Sequence, residues 1–153
     1  TYKWFCEMML PNLEIGAKRK GRTLKDIDLG GHGFIGCGKT EKGLEAVRKR
    51  LRVRIALYAS TPEYRPMLEM HGWENLFSPL IDLAHQGKWE KMGDLVTDEM
   101  LDEYAVVGSP EEVPQKLKTR FGGVTQRIQM DDEWFEEMSE GDIKKLVKAI
   151  QKI

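Results

Sequence analysis

The chain has 153 residues, enough for one sizeable core, since a chain of about 150 residues hides roughly 68–70% of its unfolded surface on folding. Its 24 Lys and Arg stand against 25 Asp and Glu, a net charge of −1, and the two signs are interspersed, which argues against nucleic acid or another polyanion as partner. No run nears the about 18 apolar residues of a membrane span, the start lacks the basic and apolar regions of a secretory signal, and Cys6 and Cys37 have neither CxxC nor Cys/His spacing; a cytoplasmic protein with free thiols and no metal is expected.

Residues 2–20 carry Trp4, Phe5, Met8, Met9 and Leu13 at helical spacing, interrupted by Pro11, where a kink is expected, and stopped by Gly21. Residues 26–37 set Ile27, Leu29, Phe34 and Ile35 among four glycines and read as one buried strand in which backbones approach closely. Thr40 then caps a helix over 41–58. Its Leu44, Val47, Leu51 and Ile55 form an apolar stripe, while Arg48, Lys49, Arg50, Arg52 and Arg54 form a basic face. No aromatic residues interleave with those bases, so the face reads as solvated surface. Residues 59–105 read as a helical insertion with breaks at Gly72, Pro79, Gly87 and Gly93.

Ser109 to Glu112 form a capping box with Pro110 at the first helical position, opening a helix that carries Val113, Leu117 and Phe121 and ends at Gly122 and Gly123. Residues 124–130 are the second strand expected. The acidic residues 131–137 read as surface that complements the dipole of a closing helix over 140–152, whose apolar positions are Ile143, Leu146, Val147 and Ile150. Two parallel strands do not make a stable exposed sheet, so their faces require strands from elsewhere: an N-terminal part of the same fold, or another copy of this chain.

Residues 33–40 (GFIGCGKT) match the GxxxxGK[ST] pattern of a phosphate-cradling loop, in which Lys39 and the Thr40 hydroxyl would serve phosphate and magnesium. The bulky Phe34 and Ile35 and the weak strand before them fit that pattern poorly. His32 and His85 have no second metal ligand at helical or hairpin spacing. Tyr64, Met67, Leu68 and His71 lie at helical spacing, so His71 reads as a hydrogen-bonded residue on a packed face.

The segment YASTPEYRPMLEMHGW at 58–73, GKW at 87–89, Met92-Gly93, DEML at 98–101 and VVGSPEEV at 106–113 together resemble the C-terminal part of the luciferase-like oxidoreductases, which are flavin- or deazaflavin-dependent (β/α)8-barrel enzymes. The resemblance implies a helix-rich α/β fold: the last two βα units of a TIM-type barrel, with 59–105 inserted between the last two strands and residues 1–153 forming a single incomplete domain. Length agrees, because such a barrel takes about 250 residues. It further implies coenzyme F-420, a deazaflavin, or FMN as cofactor, and hydride transfer or monooxygenation of a small organic substrate. The isolated chain is then expected to be inactive. Active sites of barrels lie at the C-terminal ends of the strands, which puts Cys37, Gly38, Lys39 and Thr40 at the mouth as cofactor-binding candidates. Arg65 joins them because a planar guanidinium suits phosphate or carboxylate. A solvated Lys39 and a purely capping Thr40 remain the alternative.

Overall fold

The computed structural model describes residues 1–31 and 33–152. A helical rod comes first: α1 (Tyr2–Trp4), a π-helical turn (Phe5–Met9) and α2 (Leu10–Lys18). Pro11 falls in the first turn of α2, and the interruption expected there takes the form of the wider turn before it, closed by Leu10 N–H donating to the Phe5 carbonyl. A proline ring clashes with the carbonyl four residues back in regular α geometry, and a π turn moves that carbonyl away.

The single strand expected over 26–37 is two short ones, β1 (Gly30–Gly31) and β2 (Phe34–Gly38), preceded by a 3-10 turn at Leu24–Asp26. Glycines lack the side chains that would hold one continuous, packed ladder. His32 lies outside the described residues. Three further strands follow: β3 (Ala105–Gly108), β4 (Arg127–Ile128) and β5 (Phe135–Glu136). β3 and β5 were not anticipated, and β4 is shorter than the strand expected over 124–130.

All pairings are parallel. One ladder runs β3-β2-β5 and the other β1-β4. The offset between partners grows by only one residue, from Gly30↔Arg127 to Cys37↔Phe135. Residues 127–136 therefore line one side of residues 30–38 as a single interrupted strand, with the 3-10 turn Asp132–Trp134 taking up the slack. β3 lines the other side of β2, with Phe34 opposite Ala105 and Cys37 opposite Gly108.

Helix α3 (Glu41–Ala59) lies directly on the backbone of this wall. A Cβ at Gly36 would stand 2.4 Å from Val47 Cγ1, and one at Gly38 would stand 2.9 Å from Leu44 N, so only glycine permits the approach. Around α3 wrap α4 (Arg65–His71), α5 (Phe77–His85), α6 (Trp89–Gly93) and α7 (Asp98–Tyr104). Leu51, Ile55, Leu68, Leu80, Met92 and Met100 are completely buried in the resulting core, each contributing up to about 1.5–3 kcal/mol.

The basic face of α3 is charge-compensated. Arg48 pairs with Glu41, Arg50 with Glu136, Arg52 with Asp98 and Arg54 with Glu133. The opposite face of the wall is covered by α8 (Glu112–Phe121) and α9 (Glu140–Ile150), which pack Val113, Leu117 and Leu146 on Ile35, Cys37 and Val106. Helix α8 begins at Glu112 rather than at Pro110, yet the capping box forms: Ser109 N–H donates to Glu112 Oε2 at 2.9 Å, and Glu112 N–H donates to Ser109 Oγ at 3.3 Å. Among the described residues no helix is long and apolar enough to cross a membrane.

Candidate functional site

β2 ends at Gly38, and Lys39 and Thr40 lead at once into α3. The Thr40 hydroxyl accepts from Gly43 N–H at 3.0 Å, capping the helix, and donates to Glu137 Oε2 at 2.7 Å. Lys39 Nζ lies 2.5 Å from Asp142 Oδ2. That ammonium, with help from the Ser139 hydroxyl and N–H, holds the Asp142 carboxyl well below the usual carboxylate range. Glu137 has φ 58°, a left-handed backbone unusual for a side chain of this kind and costing about 1–2 kcal/mol; it belongs to the turn that presents the carboxylate to Thr40.

This geometry removes the phosphate-loop reading of residues 33–40. Phe34 to Gly38 are a strand, engaged with β3 on one side and β5 on the other, so only Lys39 and Thr40 remain between strand and helix. A phosphate cradle needs a run of free backbone N–H groups that two residues do not supply.

The other candidates are placed differently from the sequence expectation. Cys37 does not open on the mouth: it is fully buried beneath α8 and α9, and burial, reinforced by the Glu111 charge, pushes its thiol up to about 11. Alternation along β2 turns Ile35 and Cys37 into that core. Gly38 is packed under Leu44. Arg65 is separate from the group altogether, because it bonds Glu69 at 3.0 Å one helical turn on and lies over the Phe77 ring. The structure thus brings Lys39 and Thr40 together, but with acidic partners already in place.

At the opposite, N-terminal end of the strands, Tyr58 and Tyr64 from the family-like segment line a cavity of about 320 Å³ with Phe34, Met67, Tyr104 and Arg120. Tyr58 and Tyr64 lie in the family-like segment at 58–73, whereas nothing in the sequence singles out Tyr104 or Arg120. Tyr104 closes α7 and Arg120 comes from α8, so only the parallel pairing of β2 with β3 brings them near Tyr58. His71 stacks flat on Trp73, with ring centroids 4.1 Å apart, and its Nε2 lies 2.9 Å from Thr1 Oγ1. Burial is the main cause that lowers its pKa, in keeping with a packed neutral imidazole. Among the described residues, no three His, Cys, Asp or Glu side chains gather as metal ligands.

With wall and strand ends defined, the chain can be set beside known proteins. Residues 5–126 match the profile of the luciferase-like monooxygenase family. The chain belongs to that family. An uncharacterised protein of Mycobacterium tuberculosis is 36% identical over 126 residues, covering 82% of this chain and 37% of that protein. The 5,10-methylenetetrahydromethanopterin reductase of Methanopyrus kandleri is 28% identical over 125 residues, covering 80% of this chain and 34% of the reductase. The solved structure of the coenzyme F-420-dependent tetrahydromethanopterin reductase from Methanopyrus kandleri matches with a TM-score of 0.68 and 25% identity over 90% of this chain and 38% of that one. The helix-rich α/β wall of parallel strands is therefore similar to part of the TIM-barrel fold of a luciferase-like reductase. The chain spans little more than a third of the length of these relatives.

Proposed function

We propose that these residues form the C-terminal part of a luciferase-like oxidoreductase that passes a hydride between a deazaflavin of the coenzyme F-420 type and a small organic substrate, the remaining strands of the barrel coming from another part of the same polypeptide. The observation that carries this reading is the match in fold, at 25% identity, to a solved reductase whose name specifies coenzyme F-420. A deazaflavin supplies hydride chemistry, and a protein around it binds, orients and excludes water.

The candidate side chains, Lys39 and Thr40 at the strand ends and Arg65 on α4, do not by themselves fit such a group. Lys39 is bound to Asp142, Thr40 to Glu137, and Arg65 to Glu69. Cys37 is sealed in the core. No cofactor contact is therefore assigned to these five positions, and this chain alone is expected to have no turnover. The test is to express the encoded polypeptide that contains this sequence, together with residues 1–153 alone, and to follow the absorbance of F-420 and of FMN during reduction and reoxidation. Redox cycling of F-420 by the longer polypeptide, with none by residues 1–153, is the expected result. Cycling of FMN only, or of neither, would sink the deazaflavin reading.

A further inference from the structure

The cavity at the N-terminal ends of β2 and β3 lies at the other end of the strands from Lys39 and Thr40, and its chemistry is independent of the cofactor reading. Its volume of about 320 Å³ is near the lower end of the roughly 300–1,000 Å³ of ligand pockets, room for one or two fused rings. The wall is aromatic. Phe34 and Tyr58 have ring centroids 6.0 Å apart, and Tyr58 and Tyr64 meet edge to face at 5.6 Å. Tyr58 and Tyr64 each remain 39% exposed, and they leave an aromatic rim accessible from solvent.

The Arg120 and Glu103 charges near the cavity are committed to the protein, and the Thr1 amino group on its lining is directed at the Met67 sulfur at 3.4 Å with its pKa lowered by burial, toward the neutral form. Arg120 donates to the carbonyls of Ala105, at 2.9 Å, and Asp102, and its guanidinium lies over the Tyr2 ring. Glu103 accepts from Lys3 N–H at 3.0 Å and lies 3.9 Å from His71 Nε2. A charged ligand would find no open counter-ion among these groups.

The Tyr104 hydroxyl is different. Among the described residues its one hydrogen-bond partner is the Met67 sulfur at 3.4 Å, a weak acceptor. Burial, with Glu103 and Tyr64 adding to it, pushes this phenol up to about 12, so it remains a donor at every physiological pH. A ligand carbonyl would satisfy that donor better than a thioether does.

We propose that this cavity binds a small, neutral, planar aromatic molecule bearing a hydrogen-bond acceptor, its ring held among Phe34, Tyr58 and Tyr64 and its acceptor taking the Tyr104 hydroxyl. Two bicyclic probes separate the parts of the claim: 4-quinolone carries a carbonyl acceptor, and indole has none. Calorimetric titration of the chain should give saturable 4-quinolone binding that Tyr104→Phe weakens by about five- to tenfold, with indole binding unchanged by the same substitution. Tyr64→Ala, at a partly exposed rim position that tolerates truncation, should weaken both probes. Absence of saturable 4-quinolone binding, equal 4-quinolone affinity in Tyr104→Phe, or probe binding indifferent to Tyr64→Ala would each overturn the proposal.

Discussion

On one face of the β2 wall, α3 and the helices from α4 to α7 bury Leu51, Ile55, Leu68, Leu80, Met92 and Met100 completely; on the other, α8 and α9 bury the smaller set Cys37, Val113 and Leu117 completely and leave Ile128, Met130, Phe135, Met138 and Ile150 partly covered. A groove of about 660 Å³ runs between α8, β4 and α9, with Leu117, Ile128, Met130, Val147 and Ile150 along it. The first face is closed by local, consecutive helices. The second depends on strands of two residues each, and a two-residue strand brings little cross-strand contact of its own. Stability should therefore be concentrated in the helical half.

The sharpest test of that difference is a pair of truncations. Leu51→Ala, in the closed core, should cost about 3–5 kcal/mol by urea denaturation, because its neighbours have little freedom to fill the space. Ile150→Ala, at the edge of the groove, should cost about 1 kcal/mol or less. Equal losses would show that the two faces are equally well packed. Next in size is Gly36→Ala. Its Cβ would stand 2.4 Å from Val47 Cγ1 and push α3 off the sheet, a strain of about 1–3 kcal/mol on the same scale. A neutral substitution there would mean that α3 sits less tightly on β2 than described.

The same contrast decides what the amino-acid pattern reveals. α3 is legible to within a residue because its stripe of Leu44, Val47, Leu51 and Ile55 repeats for about three turns beneath an unambiguous Thr40 cap. Tyr58 and Tyr64 both lie in the family-like segment and both line the cavity. β3 escapes notice because Ala105 to Gly108 is too short to show a period and follows directly on α7. β5 escapes because its residues sit in an acidic stretch whose charges suggest surface, whereas Glu136 is spent on Arg50. The surroundings of the site candidates are hidden for a related reason. Cys37, Gly38, Lys39 and Thr40 are adjacent in the chain, but strand alternation sends Cys37 inward, and the acids that occupy Lys39 and Thr40 are about a hundred residues away.

Those acids give a smaller, pH-dependent effect at the seam between the two halves. The Asp142 carboxyl is depressed in the folded protein, so its contribution to stability is present above the ordinary aspartate pKa of about 3.9 and is lost as pH falls below that value toward its folded pKa. Melting temperature followed from pH 6 down to pH 2.5 should therefore fall less steeply below about pH 4 for Asp142→Asn than for the parent chain. Parallel curves would mean that the Lys39 to Asp142 contact contributes nothing in solution, as exposed ion pairs often do not.

The two cysteines test the closure of the second face without any change in sequence. Cys37 is completely buried under α8 and α9, with its thiol pushed up to about 11, whereas Cys6 is half-buried on the π-helical turn. Thiolate is the species that alkylates, and access is the second requirement, so Cys37 is protected twice over. Iodoacetamide at neutral pH should label Cys6 in the native protein and reach Cys37 only in denaturant, as read by peptide mass spectrometry. Labelling of Cys37 under native conditions at a rate comparable to Cys6 would mean that α8 and α9 lift from the wall often enough to admit reagent. The partly covered side chains along the groove would then mark a layer in rapid opening, and the completely buried core around α3 would be the only part of the fold that stays closed.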